Sequence, residues 1–401
     1  MNTAFTPAQR ISDVKEYYFS VKNKEIAAMN ARGENVINLG IGSPDLPPVK
    51  KVTDTLAAAA ARSDVHGYQP YNGIPELRGA FSKWYAEKYG VKLDPATEIL
   101  PLMGSKEGIM HISMAFLNPG DGVLIPNPGY PTYSSVAKLV GAELIPYELD
   151  ENNGWQPNFE KLEATVDLTK VKLMWCNYPN MPTGAPATRE LLERLVAFGR
   201  KWNIIICHDN PYSFVLNDHP LSILEVEGAK DVCIEMNSMS KTFNMPGWRI
   251  GMAASNAQFL QWILRVKSNM DSGMFRPMQL AAIEALGQSD EDYAAMNAIY
   301  RRRRVIAKQI LEAAGCRVDD AQSGLFLWGH IENAPEGSDA ANDDTCASKL
   351  LSDKVLYGAK VFVTPGFIFG SVGRNYMRTS LCCSEEKLQV ALERVKALMQ
   401  K

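Results

Sequence analysis

The segment Ser238-Met239-Ser240-Lys241-Thr242-Phe243-Asn244-Met245-Pro246-Gly247-Trp248-Arg249-Ile250-Gly251 sets a lysine among small hydroxyl residues, with an arginine eight positions further on. Hydroxyls and a guanidinium are what a phosphate dianion needs, and an arginine grips it with two parallel hydrogen bonds. A lysine beside a phosphate site is placed to form a Schiff base with pyridoxal phosphate. The plainer alternative is a strand connection whose lysine meets solvent.

Further segments carry compatible chemistry. Gly104-Ser105-Lys106-Glu107-Gly108 opens an apolar helix after a strand, so free backbone N–H groups and a hydroxyl offer an anion site; the alternative is an ordinary cap with Ser105 at the N-cap. Asp209 ends an apolar strand in Cys207-His208-Asp209-Asn210-Pro211-Tyr212. A carboxylate there is costly unless paired, and a pyridinium N–H⁺ is a fitting partner. Tyr212, three residues on, is expected to reach the cofactor's phenolic oxygen, and His208 is read as structural. The loops Asn177-Tyr178-Pro179-Asn180-Met181-Pro182-Thr183-Gly184 and Asn127-Pro128-Gly129-Tyr130-Pro131-Thr132-Tyr133 follow strands, where open α/β sheets bind ligands, and an aromatic in the second suits ring stacking. Arg378 stands inside the apolar strand Tyr376-Met377-Arg378-Thr379-Ser380-Leu381, where a substrate carboxylate or a structural partner must satisfy it.

The elements that must hold these residues follow from periodicity. Strand patterns fall at 99–103, 122–126, 142–147, 171–177, 203–208, 232–237 and 249–254, alternating with helical patterns at 74–89, 105–117, 131–140, 188–202, 256–268 and 275–287. That alternation predicts an α/β large domain whose mostly parallel seven-stranded sheet is covered by helices. Beyond about residue 290 a long basic helix, strands near 316–319, 324–331 and 375–381, and an amphipathic last helix with Leu388, Leu392, Val395 and Met399 on one face predict a smaller α+β domain. The expected division is 1–48 (arm and part of the small domain), 49–288 and 289–401. Arg301–Arg304 read as a solvated helix face and 332–344 as an acidic surface loop.

Composition narrows the class. With 401 residues, 46% hydrophobic, 22% charged and net charge −3, the chain is globular and not a nucleic-acid binder. Seven irregularly spaced cysteines without a C-x-x-C pair argue against a disulfide framework or zinc site, and for a reducing, cytoplasmic setting. The polar start Met1–Arg10 lacks a signal-peptide core, and no apolar run reaches the roughly 20 residues of a membrane span.

In this order, the segments resemble the class I/II aminotransferases, pyridoxal-phosphate enzymes of fold type I, from about Asn38 to the last helix. The resemblance implies Lys241 as the Schiff-base lysine, Asp209 on the pyridine nitrogen and Tyr212 on the phenolic oxygen. Ser105, Lys106, Ser238 and Arg249 would cup the phosphate, Tyr130 would stack on the ring, and Tyr68 would reach the phosphate of the neighbouring subunit of a homodimer. Arg378 would hold the substrate α-carboxylate, with the Gly42 backbone nearby. The nearest look is to alanine, aspartate or LL-diaminopimelate aminotransferases, passing an amino group to 2-oxoglutarate or pyruvate. A Cβ–Sγ lyase of the same fold is the alternative; a pyridoxal-phosphate-sensing regulator lacks room for a DNA-binding arm, and a nicotinamide dehydrogenase lacks its G-x-G-x-x-G. Phe367, Phe369, Met274 and Tyr17 or Tyr18 are candidates for the side-chain pocket.

One position departs from the pattern. The family's Asn-Asn-Pro-Thr-Gly has its second asparagine on the cofactor's phenolic oxygen, and here that residue is Met181, which donates no such bond. Tyr212 is left to carry that oxygen alone, or Asn180 or Asn177 substitutes. The missing bond favours the deprotonated imine, so its absence raises the imine pKa. Met181→Asn is expected to shift the pH titration of the visible absorbance downward; an unmoved titration refutes this reading.

Overall fold

The computed structural model describes residues 5–12 and 14–400; residues 1–4 of the polar start, Asp13 and Lys401 lie outside the described residues. The large sheet runs, edge to edge, through Ile99–Leu102, Gly251–Ala254, Cys233–Ser238, Ile205–Asp209, Val171–Asn177, Gly122–Asn127, Glu143–Asp150 and Gln156–Pro157. The seven expected strands are present, and the two-residue Gln156–Pro157 adds an eighth at the edge. The five strands from Cys233–Ser238 to Glu143–Asp150 pair in parallel, whereas Gly251–Ala254 is antiparallel to both its neighbours. Their central residues, among them Leu124, Leu173, Met174, Ile206, Cys207 and Ile234, are fully buried, as continuous apolar strands covered on both faces must be.

Local chemistry sets the helix starts. Thr188, Asn256 and Ser289 accept backbone N–H bonds at the first turns of Arg189–Trp202, Ala257–Lys267 and Asp290–Ala313. The Ser105–Phe116 helix differs from expectation: Gly104 is its N-cap, at φ 83°, and Ser105 is its first helical residue. Lys50–Ala60 and Ala347–Ala359 are helices that periodicity did not mark. The first is built on an alanine run, whose helix preference is intrinsic and leaves little apolar rhythm to read.

The smaller unit has a four-stranded antiparallel sheet in the order Cys316–Val318, Phe326–Ile331, Tyr376–Ser380, Thr364–Pro365. Ile37–Asn38 pairs in parallel with Val361–Phe362, so the beginning of the chain is stitched to this C-terminal unit. Leu388, Leu392 and Val395 of the last helix are buried in its core, with Met399 half-buried. The four-arginine run is not all solvated: Arg303 is buried and makes a bidentate pair with Asp45 at 2.6 and 2.9 Å. Among the described residues, no helix is long and apolar enough to cross a membrane.

An aromatic cluster supports the Lys241 turn from below. Phe243 packs on Trp84 (centroids 6.0 Å apart) and on Tyr293 (6.1 Å), and Trp84 donates to the Tyr293 hydroxyl at 3.2 Å. Phe243 is buried, so Phe243→Ala is expected to cost about 3–5 kcal/mol. A urea unfolding midpoint close to wild type would contradict that support.

Candidate active site

The strands Gly122–Asn127, Val171–Asn177, Ile205–Asp209 and Cys233–Ser238 all end on the same edge of the sheet, and the connections that follow them carry the functional side chains. They line a cavity of about 480 Å³ together with residues of the smaller unit and the N-terminal arm. Lys241, Asp209, Tyr212, Ser105, Lys106, Ser238, Arg249, Tyr130, Gly42 and Arg378 all line it. Asn180 and Tyr68 do not. Asn180 is buried within its own loop, donating to Asn177 O at 3.1 Å and accepting from the Thr183 hydroxyl at 2.8 Å. Tyr68 is 93% exposed.

Lys241 lies on the short helix Met239–Thr242, directly after the strand Cys233–Ser238, and its Nζ donates to Gly42 O at 2.5 Å. Burial, reinforced by the charges of Arg378 and Arg249, brings its pKa down to about 8 against the opposing pull of Cys382 and Asp209. The ammonium therefore loses its proton more readily than that of an ordinary lysine, the property a nucleophilic amine needs.

Asp209 is buried, and its Oδ2 accepts from the Tyr133 hydroxyl at 2.8 Å while Oδ1 has no partner. Burial raises its pKa to about 6, opposed by Tyr133, His208 and Lys241. Tyr133 is itself fixed by stacking on Trp175, 5.1 Å away and 6° from parallel. Tyr130 meets Tyr133 edge-on at 5.5 Å. Burial pushes the Tyr212 phenol well up, so it stays protonated and able to donate.

A third corner is cationic. Arg249 adopts a left-handed φ of 56° and donates to Pro246 O at 2.9 Å, with no carboxylate paired to it among the described residues. Gly104 makes room for it, since a Cβ there would lie 2.2 Å from Nη2. Ser105 Oγ is buried without a partner, and Lys106 holds its Nζ 4.8 Å from the Tyr17 ring centroid.

Arg378 stands on the opposite wall, buried and with no carboxylate paired to it among the described residues. Its Nη2 donates to Gly40 O at 2.6 Å, Nη1 meets Met181 Sδ at 3.3 Å, and Nε has no partner. Phe326, Phe369 and Phe19 face the guanidinium at 3.9, 4.7 and 5.4 Å. Burial lowers its pKa to about 10. Of the side-chain pocket candidates, Tyr17 lines the cavity and Phe369 contacts Arg378, while Tyr18, Phe367 and Met274 lie outside it.

The sequence reading missed Tyr133 and Ser240, although both stand in segments that it singled out, and it missed Phe19 and Asn23 of the arm. The tyrosine three residues after Tyr130, one helical turn on, was the available signal for Tyr133.

The residues present fit pyridoxal phosphate on these observations. The orphaned Asp209 oxygen awaits a buried donor, the unpaired Ser105 hydroxyl and Arg249 await an anion, and the Gly104 backbone leaves space beside them.

Comparison with known proteins agrees. Residues 34–395 match the family described as aminotransferase class I and II. LL-diaminopimelate aminotransferases from Dehalococcoides mccartyi and Oleidesulfovibrio alaskensis are 42% identical over 390 residues (97% of each chain) and 40% identical over 402 residues (99% of this chain, all of the other). Substrate-bound BacF from Bacillus subtilis superposes with a TM-score of 0.91 at 36% identity, covering 99% of this chain and 98% of that one. The chain belongs to the class I and II aminotransferases, and it is a pyridoxal-phosphate-dependent enzyme that transfers amino groups between amino acids and 2-oxo acids.

Gly104→Ala puts a methyl group on the Arg249 guanidinium in a backbone conformation that disfavours side chains. The variant is expected to bind pyridoxal phosphate about tenfold more weakly, a loss of about 1.4 kcal/mol. Unchanged binding in a fluorescence titration would show that the Gly104–Arg249 approach is unimportant.

Proposed function

We propose that the enzyme transfers the amino group of LL-diaminopimelate to 2-oxoglutarate, with Lys241 as the catalytic amine. The observation that carries the mechanism is the buried Lys241 amine, its pKa near 8, in one cavity with a carboxylate oxygen that has no partner and a buried guanidinium whose Nε has none. The donor assignment rests on the relatives, which carry that name at 37–42% identity.

Bound pyridoxal phosphate supplies an aldehyde that condenses with amines and a ring that withdraws electrons from the carbon being deprotonated. The chain's own residues do the rest. Ser105, Lys106, Ser238 and Arg249 hold the phosphate, and Tyr130 covers the ring. Asp209 keeps a proton on the ring nitrogen, and Tyr212 donates to the phenolic oxygen. Arg378 binds the α-carboxylate of the amino acid, exchanging its weak sulfur contact for two charge-assisted bonds. With the group bound, Lys241 would carry the proton removed from Cα of the amino acid, on an amine that burial has made easier to deprotonate. The Gly42 carbonyl, 2.5 Å from Nζ, orients that amine.

A lyase would need the same lysine and arginine, so products decide between the two. We also place the domain limits at 1–48, 49–288 and 289–401, and the enzyme in the cytoplasm as a homodimer. The exposed Tyr68, Tyr71, Met270 and Phe275 support the dimer, because a second copy would cover them. In that dimer Tyr68 reaches the partner's phosphate corner.

LL-diaminopimelate with 2-oxoglutarate is expected to give the highest kcat/KM in a panel that includes alanine, aspartate and pyruvate. Release of a thiol from a cysteine-type donor at a comparable rate would favour the lyase. Lys241→Ala is expected to abolish turnover and the visible absorbance, and a variant that keeps the wild-type rate overturns the lysine's role.

A further inference from the structure

One wall of the cavity has no role in the mechanism above. Tyr17, Phe19 and Asn23 of the arm line it, with Ile41 and Ser43 of the loop that follows. With the α-carboxylate at Arg378 and the amino group at Lys241, the substrate's side chain is the substituent left to meet this wall. Asn23 stands on the helix Tyr18–Ala31, one turn after Phe19, whose ring faces the Arg378 guanidinium at 5.4 Å.

A chain of hydrogen bonds fixes which way the Asn23 amide is turned. The Gly40 N–H donates to Asn38 Oδ1 at 2.9 Å. A backbone N–H can only donate, so the Asn38 atom that meets it is the oxygen, and the other end of that amide is its NH₂ group. Asn38 Nδ2 in turn donates to Asn23 Oδ1 at 3.1 Å. The Asn23 atom facing an NH₂ group must accept, so its own nitrogen is left over, with two hydrogens and no acceptor among the described residues. Gly40 therefore sets two cavity residues at once. Its carbonyl takes Arg378 Nη2 at 2.6 Å, and its N–H, through Asn38, orients Asn23.

We propose that Asn23 is a substrate-binding residue that donates its side-chain N–H to the far carboxylate of a dicarboxylic amino acid or 2-oxo acid. The proposal rests on the reading of Arg378 as the anchor of the α-carboxylate. An amide N–H suits any oxygen, and the local charge selects the anionic one: the Lys106 ammonium, which also lines the cavity, lies 4.8 Å from the Tyr17 ring centroid on the same wall. A substrate ending in a methyl group leaves the oriented amide without a partner once water is displaced, and a site built to hydrogen-bond rejects an analogue that lacks the bond. Asn23 thus separates substrates with a second carboxylate, such as 2-oxoglutarate and LL-diaminopimelate, from those without one, such as pyruvate and alanine.

The test compares two unreactive acids on the holoenzyme, glutarate and valerate, which differ in that a methyl group replaces one carboxylate. Their dissociation constants are read from the change each causes in the visible absorbance. Wild type is expected to favour glutarate. Asn23→Asp keeps an oxygen to accept from Asn38 and replaces the free N–H groups with a second, negatively charged oxygen, so the preference for glutarate over valerate is expected to fall at least about tenfold. Asn23→Ala is expected to lower it in the same direction, and the kcat/KM ratio of 2-oxoglutarate to 2-oxopentanoate is expected to follow in both variants. An Asn23 that only ties the arm to Asn38 would leave Asn23→Asp with the wild-type preference. That result, a parallel weakening of both acids, or a wild type that binds the two equally overturns the proposal. An Arg378→Lys variant that binds both acids as wild type does would instead bring down the reading of Arg378.

Discussion

The active site depends on charge kept out of water without a fixed counter-charge. Elsewhere in the molecule buried cations are paired: Arg303 with Asp45, and Lys267 with Asp271. Among the described residues Arg378 pairs with no carboxylate, and Lys241 meets only a carbonyl. Desolvation without pairing is unfavourable, and here it acts as stored readiness. It depresses the lysine toward its neutral, nucleophilic form and leaves the guanidinium with unspent donors. An anion that enters the cavity finds partners already stripped of solvent.

Such a site needs a rigid frame, and the sheet topology supplies one. Parallel strands bring four connections to one edge, so the groups that meet in the cavity come from positions far apart in the chain but share one backbone lattice. The smaller unit contributes the opposing wall. Arg378 sits at the middle of its sheet, paired across to Trp328 and Thr364. The loop Gly40–Asp45 closes between the two walls and is held by three cations: Arg378 on Gly40 O, Lys241 on Gly42 O and Arg303 on Asp45. Its glycines permit that packing, because a Cβ on Gly42 would lie 2.1 Å from the Phe326 ring.

What could be read from sequence was what is local. The strand and helix periods of the large unit, the Lys241 segment and the carboxylate at the end of a buried strand all carry their signal within a few residues. The misses depend on partners distant in sequence. Tyr133 reads as packing until its hydroxyl is found on Asp209, 76 residues on. Asn180 looked like a substitute donor, but its amide is consumed within its own turn. Arg303 was grouped with its exposed neighbours, and only the fold brings it to Asp45, 258 positions earlier.

The same principle explains a cluster that imitates a metal site. Glu107, His111 and Asp271 place ligand-type atoms within 4.8 Å of one another, yet the buried Lys267 contacts Asp271 at 2.5 Å and Glu107 at 3.5 Å and supplies the cation. The carboxyl of Glu107 is held down to about 2 although burial opposes it, through His111, Asp271 and Lys267. Glu107 also accepts from the Met103 N–H, so the cluster grips the turn that opens the Ser105–Phe116 helix. From Asp271 the chain passes to Gly273, where a Cβ would strike the carbonyls of Gln69 and Pro70. A paired cation thus braces the turn before the Ser105–Phe116 helix against the loop that presents Tyr68, while the cations without a carboxylate partner among the described residues face the cavity. The fold separates the two kinds of lysine by whether a carboxylate lies within reach.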